Sequence, residues 1–153
     1  MNIVESISNW GIARGTDKTP ITKKLAIYCI VEELLEMLGL HKVMSKQSLK
    51  KLADTYAESM LADADMYNAN STEEDVIDAL CDINVFTVNF MPRFGFDAQI
   101  AMEETVLEIS SRLQDPKQAE KWDLYGNDGD KWMKWKDQPE HTLYKADYTK
   151  AKL

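Results

Sequence analysis

Apolar residues recur at intervals of three and four over five stretches of the chain, the period of an amphipathic helix and not of a strand. The first runs from about Asn2 to Arg14, with Ile3, Ile7 and Trp10 on one side, and stops at Gly15, a usual residue past a helix end. After the polar link GTDKTP, Thr19 can cap and Pro20 can open a second helix reaching Gly39, with Leu25, Tyr28, Leu35 and Leu38 among its apolar positions. Ser45 begins a third, carrying Leu49, Leu52, Tyr56, Met60 and Leu61, and NANS at 68–71 ends it. Thr72 with Asp75 three residues on resembles a capping box, and the fourth helix it opens is expected to stop at Met91 because Pro92 breaks it. A fifth, from about Asp97 to Leu113, turns Ile100, Val106, Ile109 and Leu113 inward. Beyond Asp115-Pro116 the period fades into a tail containing Trp, Lys and Gly. The pattern predicts an all-α fold: one domain, a bundle of about five helices over 2–113, an irregular C-terminal arm over 114–153, and no strand.

The fourth stretch is the most apolar. Eleven of its sixteen side chains over 76–91 shun water, so it is expected to be deeply buried. Cys29 and Cys81 each sit singly in an apolar stretch, with no CxxC and only two His in the chain. That predicts reduced core thiols and suggests neither a disulfide framework nor a zinc site. No apolar run approaches the roughly 20 residues a membrane helix needs, and the opening MNIVESISNW lacks a signal pattern. The expectation is a cytoplasmic protein with no membrane partner.

The net charge is −8, which argues against binding duplex nucleic acid, since such binding draws on Lys and Arg. Its distribution says more. Residues 51–115 carry 14 Asp and Glu against 3 Lys and Arg, whereas 116–153 carry 8 Lys against 7 acids. An acidic middle with a basic tail suits a site for a cation and a polyphosphate, and a solvated acidic surface explains the middle equally well.

At roughly 100° per residue, Glu32, Glu33 and Glu36 fall within about a third of the second helix's circumference. On the fourth helix Asp75, Asp78, Asp82 and Asn89 form a narrow polar stripe amid apolar residues. Ionised carboxylates in such a setting need positive charge, and no Lys or Arg shares their face. A hard divalent cation meets that need with oxygen ligands. The alternatives are a solvated face for the glutamates, and protonation or polar contacts for Asp78 and Asp82.

VEELLEML at 31–38, with its EExxE pattern, followed by DALCDINVFTVN at 78–89, resembles the paired acidic motifs of the MazG-like all-α nucleoside triphosphate pyrophosphatases. Asn89 matches the family's Asn seven residues after the last Asp, and the segment from Trp10 to Arg14-Gly15 is similar to its upstream Trp and Arg-Gly. KWMKW and YKADYTKAKL are similar to the tails of phage-type members. One departure stands out: aligning Asp82 with the second motif's Asp puts Ala79 where the family has Glu, so Asp78 must substitute from the same face.

The resemblance implies a pyrophosphohydrolase acting on an NTP or dNTP, with Glu33, Glu36, Asp78 and Asp82 holding Mg²⁺ or Mn²⁺. Glu32, Glu33 and Glu36 are then the catalytic carboxylates, Glu32 assisting a ligand or taking a proton from water. For phosphate contact the candidates are Arg112, Lys131, Lys134 and Lys145, with Arg14 and Lys24 behind them. Trp10, Trp132 and Trp135 are candidates to stack a base, Trp10 being equally a core residue, and Asn89 to bond the base or sugar. The resemblance also implies a homodimer or homotetramer. The competing expectation from another class is a non-catalytic nucleotide- or cation-binding helical module. No Gly-rich phosphate loop of the GxxxxGK[ST] kind occurs, and His41 and His141 have no triad-like neighbours.

Overall fold

Five helices form where the apolar periods place them: α1 (Ile3–Ala13), α2 (Lys23–Met37), α3 (Lys46–Met66), α4 (Glu73–Arg93) and α5 (Ala98–Ser111). They come from a computed structural model that describes residues 1–13, 16, 20–111, 125–128, 131–134 and 144–153. The chain divides into two compact units, Pro20–Asp82 and Met1–Thr19 with Ile83–Leu153, the division falling inside α4. No helix among the described residues is long and apolar enough to cross a membrane.

In the first unit α2 packs on α3. Val31 and Leu35 meet Leu49 and Ala53, and Ile27, Tyr28, Leu40, Met44 and Leu52 pack around them. Ala53 and Ala57 are wholly buried, small side chains that let the two helices approach closely. The cap of α2 is Thr22 and not Thr19, which lies outside the described residues. Thr22 is extended, and its hydroxyl accepts the Leu25 N–H at 3.1 Å, so Pro20 precedes the helix instead of opening it. α2 ends where Gly39 turns left-handed (φ 82°) and donates its N–H to the Glu36 carbonyl at 2.8 Å. Ser45 caps α3 through the Ser48 N–H at 3.1 Å, as expected.

The box at the start of α4 forms in both directions. Asp75 accepts the Thr72 N–H at 2.7 Å, and the Thr72 hydroxyl accepts the Asp75 N–H at 3.2 Å. Thr72→Ala is therefore expected to cost about 1 kcal/mol, read as a lower midpoint in urea with an unchanged slope. At the other end Pro92 does not stop the helix. A proline in the last turn forgoes one backbone bond, and the chain leaves only at Gly95, left-handed at φ 84° with its N–H on the Pro92 carbonyl.

In the second unit α1 lies against α5, with the Trp10 indole N–H donating to the Ile109 carbonyl at 2.9 Å. The segment Tyr144–Leu153, with a short 3-10 turn at Tyr148–Ala151, also docks there. Ala151 is wholly buried, its carbonyl accepts the Asp97 N–H at 2.6 Å, and the Leu153 N–H donates to the Gly95 carbonyl at 3.0 Å. The arm is thus not irregular throughout. It also contains two short strands, β1 (Tyr125–Asp128) and β2 (Lys131–Lys134), antiparallel with Asp128 opposite Lys131. The signal for them was Gly129-Asp130 between two four-residue runs.

Two further expectations are overturned. None of α4 is buried, and every residue from 81 to 90 is exposed, Phe86 by 55%. Cys29 and Cys81 are exposed free thiols, not core ones. Periodicity reports which side chains shun water, not which surface covers them.

Candidate functional site

The packing of α2 on α3 decides where the glutamates go. Val31 and Leu35 point to α3, and at roughly 100° per residue Glu33 and Glu36 project about 100° or more away from both. Glu33 is exposed; Glu32 and Glu36 are half-buried. Glu32 is engaged by its own helix. Burial first, and then the neighbouring Glu32 carboxylate, push the Tyr28 phenol above its ordinary range. Glu36 stands in the last turn, where its backbone carbonyl also meets the His41 ring nitrogen Nδ1 at 3.1 Å.

On α4, Asp78 and Asp82 lie one turn apart and are exposed, as is Asn89 farther along. Asp75, on the same stripe, is committed to the cap: the Thr72 N–H and hydroxyl hold it below the ordinary carboxylate range. Among the described residues no Lys or Arg forms an ion pair with Glu36, Asp78 or Asp82. Glu33, Glu36, Asp78 and Asp82 belong to the same unit, and their donor set is all carboxylate oxygen, the kind that suits Mg²⁺ or Mn²⁺. The single chain does not gather them: among the described residues no three His, Cys, Asp or Glu stand close enough to hold a metal ion.

Of the basic candidates, Lys24 is occupied by α3, at 3.1 Å from Asp54 and 2.9 Å from Glu58. Lys145 is exposed in the docked C-terminal segment. Lys131, Trp132 and Lys134 lie on β2, in register with Asp128, Asn127 and Tyr125. Arg14, Arg112 and Trp135 lie outside the described residues. Trp10 is half-buried against α5, in the core position that was one of its two readings.

The structure adds residues that the pattern did not single out. A groove of about 540 Å³ between α2 and α3 is lined by Lys24, Lys50, Lys51, Tyr28 and Asp54, with Thr22 and Leu25. It sets Lys24 on the same helix as the acidic face and Lys50 and Lys51 across from it on α3. In the other unit Glu104 is 6% exposed and accepts from Lys150 Nζ at 2.8 Å, from the Asp147 N–H at 3.0 Å and from the Tyr144 hydroxyl. Glu108 accepts the Ala146 N–H at 2.9 Å, and the Ser111 hydroxyl accepts the Tyr144 N–H at 2.9 Å. Ala101, Glu104, Glu108 and Ser111 share one face of α5 at spacings of three and four, a stripe legible as helical but not as a docking site for the tail.

Lys150 first, then Tyr144 and the Asp147 N–H, pull the Glu104 carboxyl down to about 2. Its unfolded value is about 4.3, so its contribution to stability is present above that pH and is lost as pH falls toward 2. The expected result is that Glu104→Gln lowers the melting temperature at pH 7 and that the gap to the parent closes on acidification through this window. A gap that does not change with pH would show that the carboxylate's charge does not hold the tail.

No family model, no curated protein and no solved structure matches this chain.

Proposed function

We propose that this protein is a divalent-cation-dependent nucleoside triphosphate pyrophosphohydrolase that converts an NTP or dNTP to the monophosphate and pyrophosphate. The observation that carries the reading is the pair of acidic faces in one unit, Glu33 and Glu36 on α2 and Asp78 and Asp82 on α4, with no ion pair on Glu36, Asp78 or Asp82 among the described residues. The resemblance of EExxE and the later Asp, Asp and Asn to the MazG-like enzymes supplies the reaction.

In this reading Glu33, Glu36, Asp78 and Asp82 are the residues that would hold Mg²⁺, or Mn²⁺. The cation's part is to neutralise the phosphate oxygens and polarise the α-phosphoryl group. Glu32 takes a proton from water as its oxygen bonds to the α-phosphorus; the α–β bridging P–O bond breaks, and pyrophosphate carries off the electron pair. Lysines and arginines, Lys131, Lys134, Lys145 and Arg112 by sequence, and Lys50 and Lys51 by the groove, receive its charge. Asn89 bonds the base or sugar. The protein works in the cytoplasm as a homodimer or homotetramer.

A second reading, a non-catalytic nucleotide- or cation-binding module, is favoured by two observations: Ala79 stands where the family has Glu, and no three carboxylates gather among the described residues. Pyrophosphate release from a panel of NTPs and dNTPs, with Mg²⁺, with Mn²⁺ and with chelator, separates the two. Metal-dependent release of pyrophosphate and monophosphate, without diphosphate, is the expected outcome. Nucleotide binding with no release from folded protein would establish the module instead.

A further inference from the structure

The unit Pro20–Asp82 is strongly acidic, with twelve Asp and Glu against six Lys and no Arg, yet three of those lysines line one groove. Lys24, Lys50 and Lys51 stand around it with a single acid, Asp54. Lys24 is held by Asp54 at 3.1 Å and by Glu58 at 2.9 Å. Lys50 and Lys51 make no ion pair among the described residues. On so acidic a surface two lysines are thus left open in a concavity of about 540 Å³, the size of a small-molecule site. Like charges gathered in a cleft focus their potential on whatever enters it.

The groove runs into the acidic face. Lys24 meets Asp54 and Glu58, while Val31 and Leu35 meet Leu49 and Ala53, so α2 and α3 are antiparallel. One turn along α2 from Lys24 to Tyr28 is therefore one turn back along α3 from Asp54 to Lys50 and Lys51. Leu25, Tyr28, Glu32 and Glu36 follow at steps of three, four and four, a single side of α2. The first two line the groove, and the last two belong to the candidate site. Tyr28 joins them: it walls the groove, and the Glu32 carboxylate one turn on adds to the effect of burial in raising its phenol. From Tyr28 to Glu36 is about 12 Å along the axis, so an anion in the groove lies beside the glutamates and not among them.

A short phosphate chain is the anion these groups suit. Lysine binds phosphate as a point charge through three N–H donors and needs no planar fork. Adjacent ammonium groups on α3, with a third across on α2, match a charge spread over more than one phosphate. The Asp54 carboxylate in the same lining disfavours an anion of lower charge. Neutralisation by lysine requires no divalent cation, which separates this groove from the all-carboxylate set of Glu33, Glu36, Asp78 and Asp82.

We infer that the α2–α3 groove binds pyrophosphate, free or as the two terminal phosphates of a nucleoside triphosphate, without a divalent cation. Its part in turnover rests on the functional reading: the leaving phosphates are received there, and pyrophosphate retained in the groove blocks the next substrate. Calorimetric titration of inorganic pyrophosphate into the full chain, with chelator present, is expected to show one saturable site per chain. The double variant Lys50→Ala, Lys51→Ala is expected to weaken it about tenfold. Asp54→Asn is expected to tighten it about threefold, since it removes the one acid of the lining and leaves Lys24 held by Glu58. Lys152→Ala removes an equal charge from the exposed tail of the other unit and is expected to change nothing. Circular dichroism confirms that each variant is folded, and tighter binding in Asp54→Asn has no explanation in unfolding. In the same buffer a nucleoside triphosphate is expected to displace pyrophosphate, and a nucleoside monophosphate or sulfate at equal concentration is not. No saturable binding, or binding that the double lysine variant retains in full, overturns the proposal, as does equal displacement by sulfate. Turnover fails or succeeds separately: pyrophosphate bound in the groove with no release from any triphosphate keeps the site and removes the reaction.

Discussion

Glu36→Gln is expected to lower Mg²⁺-dependent pyrophosphate release by about 100-fold or more while leaving the melting temperature nearly unchanged. Glutamine keeps the shape and the helix propensity of glutamate and removes the negative charge and one oxygen donor. Glu36 makes no ion pair among the described residues, so the substitution strands no basic partner. Its structural duty at the end of α2 rests on the backbone carbonyl that receives Gly39 N–H, which the change does not touch. A loss of turnover at constant stability therefore isolates the carboxylate's work on the cation. Glu58→Gln is the matched control, because Glu58 is bound to Lys24 on the α3 side and has no part in the proposed site. Equal turnover in parent and Glu36→Gln would remove Glu36 from the metal set and move the reading to the binding module.

The helices themselves were legible because their signals are local. Ser45 and the Thr72–Asp75 box are read from neighbours three residues away, and both form as the residue types require. Local signals also compete. Thr19 and Thr22 are both acceptable caps, and only the geometry at Leu25 shows which one the helix uses. Pro92 illustrates the same limit, since a proline ends a helix only where the lost bond cannot be spared, and in the last turn it can.

The candidate site was legible in part for a related reason. Which carboxylates share a face follows from a fixed rotation per residue, and α2 turns Glu33 and Glu36 away from α3 as that rotation demands. What stands opposite them does not follow. The tail docked on α5 through Glu104, Tyr144 and Lys150 brings together residues about forty positions apart, and no local pattern encodes that pairing. Burial of α4 failed as an expectation because an apolar helix states a need for cover and not its source.

The site's footing is the α2–α3 core, and Leu49→Ala is expected to destabilise it by about 3 kcal/mol. Leu49 is 1% exposed, the largest side chain so fully enclosed among the described residues, and it packs with Val31 and Leu35, the residues that orient the acidic face of α2. Ala53 beside it is already small and wholly buried, so the helices have no slack with which to close a cavity, and the cost belongs well inside the range seen for buried leucines. A loss of that size corresponds to about 100-fold faster hydrogen exchange at amides that open with the core. The acceleration is expected in α2 and α3, because these lie in the unit Pro20–Asp82, and is expected to be much smaller in α1 and α5, which have their own contacts through Trp10 and the docked tail. Equal acceleration in all four helices would mean that the two units open as one cooperative body. Acceleration confined to α2 and α3, with turnover falling in step, would tie the acidic face to the packing beneath it and make Leu49 a positioning residue for Glu33 and Glu36.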